Sequence, residues 1–173
     1  MRIKTRKTVY DGFFKVENVT LEHNGKSIDR DLVTPKNGVA ALVYDTVQQQ
    51  FVLTEQYRLV AGKPLVEIVA GLLDKEGEKP EDTIAREIEE EVGYAVDKLQ
   101  LISTYYSTPG SFAEKIWLYY AEVSHKISAG GGVASENEDL KTVCFSREKL
   151  YTTPFEDAKT LIAVLWEQCK HRS

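Results

Sequence analysis

The sequence predicts an α+β or α/β sandwich, with many strands and two principal helices set among them. Three observations carry this expectation. Strand-length apolar or alternating runs recur at 12–22, 27–34, 39–45, 51–58, 98–106, 115–123 and 140–145, bounded by turn residues. Two segments, 80–92 and about 157–171, show helical periodicity instead. The 173 residues, 42% of them hydrophobic, suffice for one sizeable core and fall short of two. A single domain over 1–173 is therefore expected, with 1–36 forming a hairpin extension ahead of a 37–173 core.

Taken in order, the first two strands, GFFKVENVTLE and SIDRDLVT, meet across His23-Asn24-Gly25-Lys26. Asn-Gly favours a type I′ hairpin because both central residues need positive φ. After the break at Lys36-Asn37-Gly38, VAALVYD is almost continuously apolar, as expected of a strand buried on both faces. Gln48-Gln49-Gln50 separates it from FVLTEQYR. Pro80 suits the first position of the first helix, Glu81 and Asp82 suit its positive end, and Gly93 suits its stop. In the last helix Leu161, Val164, Leu165 and Cys169 line an apolar stripe. Ser107–Glu114 and Ser128–Asp139 read as loops.

A net charge of −5 argues against a duplex-DNA surface, which needs clustered Lys and Arg. It leaves room for an acidic site, because a bound divalent cation reverses the local sign. Cys144 and Cys169 are far apart and lack His at metal spacing, so they read as reduced, partly buried thiols of a cytoplasmic protein. No signal peptide and no membrane span is expected from the apolar runs.

The helix at 80–92 concentrates acids where they are least welcome. At 100° per residue, Ile84, Ala85, Ile88 and Val92 share the buried side, while Glu87, Glu90 and Glu91 occupy an adjoining arc. Glu87 and Glu91 repel at i,i+4, and the helix end is already negative, so each costs roughly a few tenths of a kcal/mol. Within the helix only Arg86 offers relief, by reaching Glu90. Two readings remain open on geometry alone: a solvated acidic face, or a seat for hard, oxygen-seeking Mg²⁺.

The segment GLLDKEGEKPEDTIAREIEEEVGY, residues 71–94, closely resembles the Nudix box, G-x5-E-x7-R-E-U-x-E-E-x-G-U, with U apolar. The matching positions are Gly71, Glu78, Arg86, Glu87, Ile88, Glu90, Glu91, Gly93 and Tyr94, with one extra residue between Gly71 and Glu78. The resemblance implies a Nudix α/β/α sandwich with a mixed sheet. It implies a metal site of Glu87, Glu91 and the Ala70 carbonyl, assisted by Glu90, with Arg86 orienting the acids and Glu78 bracing the loop. The implied cofactor is Mg²⁺ or Mn²⁺.

Further segments resemble the branch that hydrolyses ADP-ribose and other nucleoside diphosphate sugars. Pro109 stands 15 residues after Tyr94, Glu55-Gln56-Tyr57-Arg58 is similar to that branch's Q-[YF]-R strand end, and Leu65–Gly71 is similar to its L-E-x-x-A-G. The N-terminal extension resembles one used to build a swapped homodimer. The glycine run Gly130-Gly131-Gly132, similar to that of GDP-mannose hydrolases, leads into Glu136-Asn137-Glu138-Asp139. That loop resembles the one supplying the catalytic base, implying Glu138, with Glu136 in reserve. On its own the loop reads rather as a flexible connection between strands with its acids in water, and the intact box beside it turns the reading toward the base. Glu114 matches an accessory acid. Arg58 and Arg30 match arginines suited to phosphate, and Tyr57 and Phe112 are candidates to border the base or sugar. Taken singly, each reads equally as an ordinary surface ion pair or core aromatic.

The implied reaction is metal-dependent hydrolysis of a nucleoside diphosphate sugar, ADP-ribose first and GDP-mannose second, to a nucleoside monophosphate and a sugar phosphate. The expected partners are that substrate and a second copy of the chain, without nucleic acid or membrane. Two alternatives stay open: a Nudix-fold sensor that binds without cutting, and a Nudix hydrolase of other nucleotides.

Overall fold

The computed structural model describes residues 1–132 and 140–171. The chain divides into two compact units, one of Met1–Gly38 with Tyr105–Ile116, the other of Val39–Thr104 with Trp117–Ser173.

In the first unit, β1 (Arg2–Asp11), β2 (Lys15–His23) and β3 (Lys26–Thr34) form an antiparallel meander. Asn24 (φ 50°) and Gly25 (φ 72°) make the β2–β3 turn with the positive dihedrals their types suggest. The sequence reading missed β1 because every residue in it is exposed, so no apolar face marks it. The predicted strand at 12–22 is correspondingly cut back, and the chain reverses at Gly12–Phe14. β3 pairs in parallel with the start of β9 (Phe112–Lys126) at Val33 and Phe112, which makes the sheet mixed. The expected loop at Ser107–Glu114 is shorter than read. β8 (Tyr94–Thr108) continues to Thr108 and β9 resumes at Phe112.

In the second unit, β4 (Gly38–Asp45) is buried nearly throughout, as its unbroken apolar run requires. It pairs antiparallel with β5 (Gln50–Arg58), which in turn pairs with β6 (Lys63–Glu67) and β10 (Lys141–Phe145). The short β7 (Val69–Leu72) lies on β4, and β8 lies on β9. Neither β6 nor β7 was recognised as a strand, being only five and four residues long.

Helix α1 (Pro80–Val92) has the predicted bounds, with Pro80 in its first turn and Gly93 (φ 80°) as C-cap. Ile84, Ile88 and Val92 enter a core with Val39, Ala41, Val43, Val52, Val69, Tyr119, Ala121 and Val123. Strand alternation turns Tyr120 to the opposite face, where its ring meets Trp166 of α3 (Ala158–Lys170) at 5.5 Å. The layers are therefore helix, sheet, helix, as expected. Helix α2 (Arg147–Thr152), capped by the Ser146 hydroxyl, is an addition to the sequence reading.

Two details depart from expectation. The buried face of α3 is Thr160, Ala163, Val164 and Glu167, while Leu161, Leu165 and Cys169 are exposed. Both free cysteines are exposed rather than partly buried. No helix among the described residues is long and apolar enough to cross a membrane.

Candidate metal and diphosphate site

The acidic face of α1 is held in shape by Arg86. Its Nη1 lies 2.7 Å from Glu90 Oε2 and 2.9 Å from Glu87 Oε1. Its Nε lies 3.4 Å from Glu78 Oε1, and Asp74 stands at 3.9 Å. Partial burial alone would lower the Arg86 pKa, but Glu87, Glu78 and Glu90 outweigh it, and the guanidinium is held charged. Glu78 also accepts from the Thr83 hydroxyl at 2.9 Å, tying the preceding loop to the first helical turn. Burial pushes the Glu78 carboxyl up, but the Thr83 and Arg86 hydrogen bonds prevail and hold it below its ordinary value.

Glu91, one turn beyond Glu87, is only 5% exposed. Glu87 leans on the backbone of β7: a Cβ built on Gly71 would fall 2.1 Å from Glu87 Cδ. Only glycine allows that approach, and it brings the carboxylate alongside the strand that contains Ala70. Among the described residues, no three acidic, His or Cys side chains form a ready-made ligating cluster. Arg86 Nη1 is the cation between Glu87 and Glu90. The donors are nevertheless of the right kind. Carboxylate and carbonyl oxygens on facing elements suit a hard divalent ion, and the glycine cradle gives Glu87 a fixed position beside them.

Behind the site, Arg58 Nε and Nη2 donate to Glu67 at 2.6 and 2.9 Å. Lys159 of α3 reaches the same carboxylate and also Asp157 at 2.8 Å. Burial would raise the Glu67 pKa, but Arg58 and Lys159 outweigh it and hold the carboxyl low. The Glu67 hydrogen bond leads the factors that raise Arg58. So the arginine expected to meet phosphate already has a carboxylate partner, while its side chain stays 44% exposed. Glu67 lies in the quoted L-E-x-x-A-G segment but received no role from the sequence. An acid set among buried apolar neighbours was the signal that could have found it.

Tyr57, on the same strand end, is 60% exposed. Arg30, Phe112 and Glu114 belong to the first unit. There Arg30 donates to the Asp29 carbonyl at 2.9 Å, and the Phe112 ring meets Phe14 at 5.8 Å. Glu114 is half-buried. Glu136 and Glu138 lie outside the described residues.

The glycine run is not a slack connection where it is described. Gly131 N donates to the Glu91 carbonyl at 2.7 Å, and Gly132 N to the Glu90 carbonyl at 3.0 Å. Sequence reasoning missed this docking, since nothing local pairs residue 131 with residue 91.

An acid-faced helix, seated on a glycine-bearing strand and ordered by one arginine, is the arrangement that the resemblance to a hydrolase family leads one to expect. The chain belongs to the Nudix family, since the NUDIX domain profile matches residues 34–164. It is 34% identical over 166 residues to the ADP-ribose pyrophosphatase of Haemophilus influenzae, covering 87% of this chain and 76% of that one. It is 33% identical over 177 residues to the GDP-mannose pyrophosphatase of Enterobacter sp. (strain 638), covering 94% and 92%. A crystal structure of an ADP compounds hydrolase superimposes with a TM-score of 0.82 at 26% identity, covering 99% of this chain and 95% of that one. Pyrophosphatases of this family generally need divalent metal ions.

Proposed function

We propose that this chain is a pyrophosphohydrolase that uses Mg²⁺ or Mn²⁺ to cleave a nucleoside diphosphate sugar into a nucleoside monophosphate and a sugar phosphate. ADP-ribose is the first candidate substrate and GDP-mannose the second, in keeping with the activities for which the two relatives are named. The observation that carries the reading is the pairing of Glu87, pressed on Gly71, with Glu91, nearly buried one helical turn away.

Glu87, Glu91 and the Ala70 carbonyl would hold the ion, with Glu90 assisting from its place on Arg86. When bound, it would neutralise diphosphate charge and make a water molecule more acidic. The protein side chains do the rest. Arg86 keeps the carboxylates from splaying apart. The exposed part of the Arg58 fork meets phosphate oxygens, and Tyr57 offers an open ring to base or sugar. Glu138, with Glu136 in reserve, accepts the proton of the attacking water, a step worth typically about 10²–10⁴ in rate. That assignment rests on the loop's resemblance, as do the substrate roles of Arg30, Phe112 and Glu114.

The protein is further proposed to act in the cytoplasm as a homodimer joined through its N-terminal extension. In support, β1 leaves Ile3, Val9 and Tyr10 exposed along a ten-residue strand. Light scattering tests the dimer.

For the reaction, purified protein is assayed with ADP-ribose, GDP-mannose and a nucleoside triphosphate, with and without each metal. Metal-dependent release of the nucleoside monophosphate from a nucleotide sugar is expected, lost in Glu91→Gln with the fold retained. Full activity in Glu91→Gln would remove the metal assignment. Absence of turnover with every substrate would point instead to a sensor.

A further inference from the structure

We infer that Ser128–Gly132 is a positioning clasp for the metal-binding helix: its backbone fastens the carbonyl ends of Glu90 and Glu91 and so sets where their carboxylates stand. The inference rests on the hydrolase reading above.

The last carbonyls of an α-helix have no partner within the helix and carry its negative dipole end. Here that end coincides with the acids of the site. Gly93 N takes the carbonyls of Ile88 and Glu89, closing the helix in the ordinary way. The next two carbonyls are taken from outside, by Gly131 N on Glu91 and Gly132 N on Glu90. The Ser128 hydroxyl adds a bond to the Glu89 carbonyl at 3.3 Å, and Ile127 N and Ser128 N both donate to the Gly93 carbonyl, at 2.7 and 3.2 Å. Each donor brings a partial positive charge to the end where carboxylates gather. Each bond also fixes the backbone from which a site carboxylate projects.

The three glycines are matched to this task. Their φ values are 70°, 104° and 81°, a succession that residues with a Cβ rarely adopt. At Gly130 a Cβ would fall 2.7 Å from the Val92 carbonyl carbon and 2.8 Å from the Glu91 carbonyl oxygen. Those atoms are backbone, so a side chain there must lift the clasp off the helix. At Gly131 a Cβ would meet open space, leaving only the strain of its φ.

The test compares Gly130→Ala and Gly131→Ala with the parent. Binding of Mn²⁺ alone is followed by electron paramagnetic resonance, kcat and KM for ADP-ribose and GDP-mannose are measured, and circular dichroism monitors folding. Gly25→Ala serves as the strain control, being a positive-φ glycine in the other unit with open space around it. Gly130→Ala should weaken Mn²⁺ binding about tenfold or more, as loss of an outer-shell partner does. Its kcat should fall while KM changes little. Gly131→Ala should show the same split at smaller size, and supplies the test should Gly130→Ala not fold. Gly25→Ala should keep the parent's Mn²⁺ affinity. Folded variants binding Mn²⁺ as tightly as an active parent would overturn the clasp and leave the hydrolase reading standing. A parent that neither binds Mn²⁺ nor hydrolyses a nucleotide sugar would overturn both.

Discussion

Arg58 grips Glu67 through two parallel hydrogen bonds, 2.6 and 2.9 Å long, joining the end of β5 to the end of β6. Lys159 approaches the same carboxylate from α3, so one nearly buried acid ties two strands to a helix. The pair fixes the aim of the Arg58 guanidinium, the group proposed to meet phosphate oxygens.

Glu67→Gln should therefore destabilise the protein at neutral pH. Breaking a buried pair costs about 3–5 kcal/mol, but Arg58 is 44% exposed, so about 1–3 kcal/mol is expected. The Glu67 carboxyl is held below its ordinary value. Its contribution is therefore complete above the unfolded-state pKa of about 4.3 and is lost as pH falls through the lower folded value. Urea midpoints from pH 2 to 7 should show the parent losing stability in acid more steeply than the variant. Parallel curves would count against the ion pair.

Gly71→Ala places a methyl group where Glu87 lies. The carboxylate must move, so affinity for Mn²⁺ should fall about 10- to 100-fold, with a comparable loss of kcat. Gly71 is only half-buried, and the thermal midpoint should drop modestly. Calorimetric titration with the metal, beside a melting curve, separates the two effects. Unchanged affinity would contradict the cradle.

Arg86→Gln leaves Glu78, Glu87 and Glu90 without the guanidinium between them. A loss of about 1–2 kcal/mol is expected from repulsion at partly exposed positions. Millimolar Mg²⁺ should restore part of it, raising the variant's thermal midpoint more than the parent's. Equal Mg²⁺ increments in both would show that Arg86 and the ion do not share these acids.

Tyr94 donates its hydroxyl to Asp45 Oδ2 at 2.9 Å, and Asp45 Oδ1 accepts from Val47 N and Gln48 N. Burial first, and Asp45 second, push the Tyr94 pKa up to about 12. A raised folded-state value means the contribution is whole below the unfolded pKa of about 10 and vanishes as pH climbs through about 12. Tyr94→Phe should cost about 1 kcal/mol at neutral pH. It should also flatten the alkaline loss of stability between those limits, as read by denaturant midpoints.

Much of this was readable from the chain because it is local. The α1 bounds follow from Pro80 and Gly93, the Arg86–Glu90 contact from i,i+4 spacing, and the acid face from the helical period. The hairpin at Asn24-Gly25 needs no distant partner to adopt positive φ. By contrast, β1 has no apolar face to betray it. The α3 stripe was read from hydrophobicity alone, whereas two of its inward positions are polar. Thr160 donates to Asp157 and accepts from Ile68 N, and Glu167 pairs with Arg147 and His171.

The sequence by itself determined which side chains share a helix face, because that follows from bond geometry over a few residues. It could not determine what those side chains lean on. Gly71 beneath Glu87, Glu67 and Lys159 around Arg58, and the glycine amides on the Glu90 and Glu91 carbonyls are meetings of distant segments. Only packing decides them, because the free energy that selects such contacts comes from burying the whole core, and no local pattern encodes it.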